Sequence, residues 1–399
     1  MTPPPENPRH LLPLILAITS TGVLAFSIIS PVLPDLATEL EVSRGAVGFL
    51  QGAVALPGIF LAAYIGYLAD RHGRRRVVRV SLLVFGVFGV ASFFAPNYAV
   101  LVVFRVLQGL GTSGLLSLGV VVIGDMFTGL ERRWAMGLNL AALTATTTFA
   151  PIIGGVLAEG GTFRPFLVFV VAFPLFVWAR KLPDPEGVGE LPPPVTHLRQ
   201  ALQHLRGRGT LSDFLGVLPM SFLTLGVFLG LGMTVLPLFL ENEFGLSSSQ
   251  RGLVQSILSA SSSTASVLSA RIGARFAPNK VLTGSFLLMI VGFVLIGVAP
   301  SLWLLPVGLV VLGSGTGSIF PLLQDYSAAV GPARYRGALV GTWVSANRLG
   351  QTVGPAGGGA LADGIGERSS YLVGAAVIGV VAAIWRPARS VARSRMRAS

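Results

Sequence analysis

Two arginines stand where arginine is costly. Arg105 opens the stretch Arg105-Val106-Leu107-Gln108-Gly109-Leu110-Gly111 inside one apolar run, and Arg348 sits in another beside Trp343, Asn347 and Gln351. A charged side chain deep in a membrane helix costs about 2.5 kcal/mol or more unless it is paired or wet. Each arginine therefore reads either as a buried anchor capping backbone carbonyls or as part of a polar cavity. Trp343, Asn347 and Gln351 recur at i, i+4 and i+8 and so share one helix face. Other polar residues inside apolar runs are Asn139 with Thr144 and Thr146 to Thr148, Gln255 with a Ser/Thr-rich stretch from Ser259 to Ser266, and Gln324 with Asp325. All are candidates to line a substrate cavity, although a helical Ser or Thr equally bonds its own backbone.

No Asp or Glu falls near the middle of any apolar run. A proton-coupled carrier of cations generally wants a buried carboxylate whose pKa is raised by desolvation. Arg105 and Arg348 suit neutral or anionic solutes instead. The four histidines, His10, His72, His197 and His204, lie in tails and loops, and none neighbours an Asp/Glu pair. There are no cysteines, which excludes disulfides, zinc ribbons and thiol catalysis. A phosphate loop of the P-loop type is also missing, so ATP drive has no support. No catalytic residues, metal ligands or cofactor are expected.

The elements that must position these residues follow from composition. Of 399 residues, 52% are hydrophobic and 12% charged, with 50 Gly, 26 Pro and a mean hydropathy of +0.74. That is about half the charge of a soluble domain, too little to coat a large globule in water. A spanning helix takes about 20 apolar residues. Such runs fall at 11–33, 45–69, 77–95, 98–124, 134–158 and 164–182, then at 214–240, 250–270, 281–299, 302–326, 337–361 and 370–386. The predicted fold is an all-α membrane protein of twelve transmembrane helices. Residues 1–182 form one six-helix bundle, 183–212 a Pro-rich basic linker, and 213–399 a second bundle with a basic tail. The first run follows Arg9 like a signal peptide, but Pro31 and Pro34 stand where a cleavage site would be, so it reads as the first helix.

A net charge of +12 would suggest nucleic acid in a soluble protein. Here the positive charges gather on alternate loops, and only Arg44, Arg164, Arg251 and Arg368 fall on the other side. This bias places both termini in the cytoplasm. It accounts for the charge without nucleic acid and points to a multi-pass protein of the plasma (inner) membrane. A monomer in the lipid bilayer is expected.

The second half repeats the first at a constant offset. Arg71 maps to Arg275, Pro96 to Pro300, Gly109 and Gly111 to Gly313 and Gly315, and Pro151, Gly154 and Gly155 to Pro355, Gly358 and Gly359. Two parallel repeats related by an axis along the membrane normal enclose a cavity near the midplane and can rock about it.

Between the second and third runs stands Gly66-Tyr67-Leu68-Ala69-Asp70-Arg71-His72-Gly73-Arg74-Arg75-Arg76. Gly73 permits positive φ in a tight turn, and Asp70 can pair with Arg71 or Arg74. This pattern closely resembles the loop signature of the major facilitator superfamily. The stretch from Arg105 through Gln108 to Gly109 resembles the fourth-helix signature of the same superfamily, whose arginine is associated with proton transfer in exchangers. Ala150-Pro151-Ile152-Ile153-Gly154-Gly155 resembles the fifth-helix signature of the twelve-helix drug:proton antiporters, with Ala150 in place of its leading glycine. The fuller form, with Gly350, Gly354, Pro355, Gly358 and Gly359, lies in the eleventh run. The resemblance implies that Asp70 and Arg74, with Asp125 at the end of the fourth helix, form a cytoplasmic latch. It also implies proton-coupled efflux of small amphipathic molecules or drugs by alternating access. A metabolite or organic-anion porter using Arg105 and Arg348 is the alternative, and a non-transporting receptor or membrane-embedded enzyme the alternative of another class.

Overall fold

Helices of this chain begin and end where the sequence offers caps and glycines. The Ser43 hydroxyl accepts a hydrogen bond from the Ala46 amide at 3.2 Å, and the Asn97 side chain accepts one from the Val100 amide at 3.0 Å, each satisfying an orphan donor of a first helical turn. Gly73 takes φ +88°, a backbone that L side chains avoid, and turns the chain directly from one helix into the next. Pro31 and Pro34 do not end the first helix. Each sits in the first turn of a restarted segment, where a missing N–H costs nothing, so the helix runs on beyond the predicted residue 33 to Glu39.

The computed structural model describes residues 8–183, 194–332 and 335–384, without the side chains of residues 8, 62, 63, 66, 70, 194–197 and 270–274. Twelve helical segments pass between two faces. They are α1 (Arg9–Glu39), α2 (Arg44–Leu61, continued by Gly58–His72), α3 (Arg74–Phe94), α4 (Tyr98–Met126), α5 (Gly129–Glu159) and α6 (164–181, beginning as the 3-10 stretch Arg164–Val171). The second set is α7 (Leu211–Phe244), α8 (Ser248–Arg275), α9 (Pro278–Gly297), α10 (Leu305–Ala329), α11 (Arg336–Ile365) and α12 (Glu367–Ile384). Among the described residues, nine are long and apolar enough to cross a membrane. The others are α6, α8 and α11; α8 and α11 carry the polar side chains that meet at the centre of the molecule.

One core joins α1 to α6 through residues such as Leu50, Phe85, Leu115 and Phe169, and a second joins α7 to α12 through Phe239, Phe286, Leu309 and Tyr371. A linker helix (Pro194–Arg208) lays Ala201 and Leu205 against Phe214, Tyr335 and Leu339 at the base of α7 and α11. The Pro-rich stretch 184–193, Arg334 and the basic tail after residue 384 lie outside the described residues. Exposed side chains such as Val80, Leu83 and Val87 on α3 and Leu287 and Val291 on α9 form a surface suited to lipid.

The two sets of six helices pack alike, glycine for glycine. Membrane helices associate by close backbone approach rather than by the hydrophobic effect. Gly109 abuts the Val54 carbonyl, as Gly313 abuts that of Leu258. Gly111 meets the Ser81 carbonyl and Phe85 amide, as Gly315 meets the Ser285 carbonyl and Met289 amide. Each second-half residue is the repeat partner of the first, so the duplication in sequence is a duplication of contacts.

Candidate functional site

The halves meet tightly at one end. On this far face, away from the linker and residue 384, Gly48 of α2 lies against the Pro355 carbonyl of α11, and Gly252 of α8 against the Pro151 carbonyl of α5. Gly359 meets the Arg44 carbonyl and Gly155 the Ser248 carbonyl. A Cβ at any of these four would overlap backbone. Polar contacts reinforce the seam. Arg251, 1% exposed, holds Asp35 of α1 and, at 2.9 Å, Glu241 of α7. Arg44 pairs with Glu367 at 2.9 Å, and Glu159 accepts from Ser247 at 3.0 Å. Ser30 donates to the Met233 carbonyl and is itself bonded by Gln255. That carbonyl is available because the residue four positions on is Pro237, which has no N–H to offer it, and it lies in a π turn over Gly230–Val235.

On the terminal side of this seal lies a chamber of about 310 Å³ between the halves. Its walls combine apolar surface from Phe26, Leu116 and Phe228 with polar groups from Gln51, Thr147, Ser259, Ser263, Arg348 and Gln351. Arg348 is the one charged residue in that lining. It is 9% exposed and donates to Gln351 at 2.8 Å. Gly58 of α2 makes room for it: a Cβ there would stand 3.1 Å from the Arg348 Cδ. Among the described residues no carboxylate lines the chamber or pairs with this guanidinium. An unpaired charge in such a site attracts an anion.

Arg105 is placed differently. It is fully buried in the first half and does not line the chamber. Its guanidinium donates to the Ala25 carbonyl at 2.6 Å and to Gln108 at 2.7 Å, and lies 5.9 Å from the ring centre of Phe166. The part of the sequence reading that aimed Arg105 at a substrate is corrected. Its two terminal nitrogens are committed to Gln108 of its own helix and to the Ala25 carbonyl of α1, and its Nε, without a hydrogen-bond partner, is closed off inside the first half.

At the terminal face Arg74 pairs with Asp125, joining α3 to the end of α4. Arg71 donates instead to the Tyr67 hydroxyl at 3.3 Å. Gly66 and Asp70 belong to α2, but their side-chain surroundings lie outside the described residues. Most of the remaining cavity candidates sit elsewhere. Asn139 accepts from Thr19 at 2.6 Å and ties α5 to α1. Trp343 donates to Ser221 at 2.8 Å inside the second half. Gln255 serves the seal, and Asn347 is buried away from the chamber lining. Gln324 and Asp325 are exposed near the terminal end of α10. Gly154, Gly354 and Gly358 are packing positions, against Ile28, Gly226 and Gly230 respectively. Gln51 was missed in the sequence, though a lone amide in an apolar run was a usable signal.

Two six-helix sets with matched contacts, a seal at one end and a polar chamber between them form the frame in which a family can be recognised. A sequence model described as Major Facilitator Superfamily matches residues 15–240 and again 220–398. The chain belongs to the major facilitator superfamily. Within the superfamily, the MFS antiporter QDR3 of Candida albicans is 31% identical over 177 residues, 43% of this chain but only 25% of that one. The Probable nitrate transporter NarT of Staphylococcus haemolyticus is 27% identical over 322 residues, 77% of this chain and 79% of that one. Multidrug resistance protein D of Escherichia coli is 27% identical over 209 residues, 52% of each chain. A solved major facilitator structure, a bacterial homolog of the human lysosomal transporter Spinster in an inward-facing, unoccupied conformation, superposes with a TM-score of 0.79 at 17% identity over 97% of this chain and 100% of that one. Membership makes this chain a multi-pass membrane transporter and not an enzyme.

Proposed function

We propose that this transporter works by alternating access and carries a small organic anion, bound in the central chamber against Arg348. One observation supports the reading above the others: a guanidinium lines the space between the halves with no carboxylate beside it among the described residues. With basic loops on the cytoplasmic side, the sealed far face is outside and the chamber belongs to an inward-facing state. Similarity to a chain named as a nitrate transporter over most of its length agrees with an anionic cargo.

A second reading, proton-coupled efflux of amphipathic molecules or drugs, draws on the fifth-helix signature and on likeness to Multidrug resistance protein D. The aromatic and aliphatic walls of the chamber suit an amphipathic body in either case. The missing carboxylate weighs against cationic drugs. For proton coupling, the carboxylates of Asp35 and Glu241 in the seal are the candidate carriers.

The test is a flux screen in proteoliposomes containing the full chain, with organic anions and cationic dyes offered with and without a pH gradient. The expected result is anion flux that Arg348→Gln lowers at least about tenfold and Arg348→Lys partly restores. Export of cationic dyes, unchanged in Arg348→Gln, would overturn the anion reading.

A further inference from the structure

The chamber contains more recognition chemistry than a single positive charge. Gln51 of α2 is 2% exposed and lines it. Its amide nitrogen donates to the Phe26 carbonyl at 2.7 Å, which fixes the orientation of the amide, since a flipped group would set oxygen against oxygen. The carbonyl oxygen is left with no hydrogen-bond partner and with almost no accessible surface, so only a solute seated directly against Gln51 could serve it. Ser259 of α8, 6% exposed, borders the same space, and its hydroxyl is likewise buried without a partner. A buried acceptor without a donor is expensive and rare in folded proteins.

The position of Gln51 is set by the backbone. Next to it, Gly52 packs against the Thr352 carbonyl of α11, and a Cβ there would stand 3.0 Å from the Gln351 carbonyl. Gln51 and the pair of Arg348 and Gln351 therefore border the chamber on adjacent helices. From the Arg348 side the cavity offers charge and donors. From the Gln51 side it offers an acceptor held in place.

We infer that the cargo is an organic acid carrying a hydrogen-bond donor, such as a hydroxyl or amide N–H, beside its acid group, and that Gln51, aided by Ser259, is the residue that selects for this donor. The inference rests on the anion reading of the chamber. The acid group faces Arg348 and Gln351, the donor faces the Gln51 carbonyl oxygen, and the apolar body lies against Phe26 and Phe228. Plain carboxylates and inorganic anions satisfy the arginine but leave Gln51 unserved.

The experiment measures binding of 3-phenyllactate and 3-phenylpropionate to the purified full chain, two acids that differ by one hydroxyl. The expected result is about tenfold tighter binding of phenyllactate, the worth of one net hydrogen bond. Gln51→Leu should bring the two acids within about twofold of each other while keeping the weaker affinity, and Ser259→Ala should narrow the gap without touching the Gln51 to Phe26 bond. Arg348→Gln should weaken both acids together. Equal binding of the two acids by the unmodified chain, still dependent on Arg348, would overturn this inference and leave the anion reading standing. Failure of both acids to bind, or binding indifferent to Arg348, would overturn the anion reading and this inference with it.

Discussion

Arg251 of α8 grips Asp35 of α1 across the boundary between the halves, and with its other terminal nitrogen holds Glu241 of α7 at 2.9 Å. One buried guanidinium thus joins a carboxylate from each half at the closed end. Replacing it leaves two acids close together at the edge of the seal. Arg251→Gln should weaken closure by about 2 kcal/mol, the scale of a charged hydrogen bond, and raise the population open at the far face more than tenfold. The chain contains no cysteine, so Gly45→Cys with Ala360→Cys, whose Cβ positions lie 3.3 Å apart across the seam, gives a crosslink on a clean background. Crosslinking should fall when Arg251→Gln is added. Unchanged crosslinking would show that the backbone contacts alone hold the seal.

Gly48 has no space for a side chain against the Pro355 carbonyl. Gly48→Ala should open the seam at an overpacking cost of about 1–3 kcal/mol, shifting the same crosslink in the same direction. Gly137, with nothing around the position of its missing Cβ, is the control, and Gly137→Ala should leave the crosslink as it is.

For Arg105 the expectation is structural. Arg105→Leu leaves the Ala25 carbonyl and the Gln108 side chain buried without their partner, and should lower stability by about 3 kcal/mol. The measurement is thermal unfolding in detergent. A variant of normal stability whose flux no longer responds to a pH gradient would instead assign Arg105 to coupling.

Asp125→Asn removes the acid that faces Arg74 at the terminal face. Asp125 is 35% exposed and Arg74 12%, so the pair is worth about 1 kcal/mol or less. The variant should insert and fold normally and change transport rate a few-fold, with an effect that shrinks as salt rises. Complete loss of transport at high salt would mean that Asp125 does more than pair with Arg74.

The parts of the fold visible in the sequence were those written in local terms. Apolar runs of spanning length gave the helices, and the constant spacing of Gly and Pro gave the duplication. Arg348 and Gln351 stood out as polar residues in an apolar run, and the structure places both on the chamber. Trp343, grouped with them by its spacing, does not follow. Eight residues advance a helix about 80° past full turns, enough for α11 to direct Trp343 to Ser221 of α7 and Gln351 to the cavity. Arg251 and Asp35 were illegible as a pair, because 216 positions separate them and each sits beside a loop where charge is ordinary. The π turn in α7 spans Gly230 and Gly232 and is followed by Pro237, but such residues mark a break without saying which kind.

The glycines that meet proline carbonyls at the far face come as a reciprocal pair: α2 of the first half presses on α11 of the second, and α8 of the second presses on α5 of the first. Both crossings join the same two halves, so the far face opens fully only when both part. The far face is therefore held like a clasp with two identical catches, and damage to either catch should be felt equally at both.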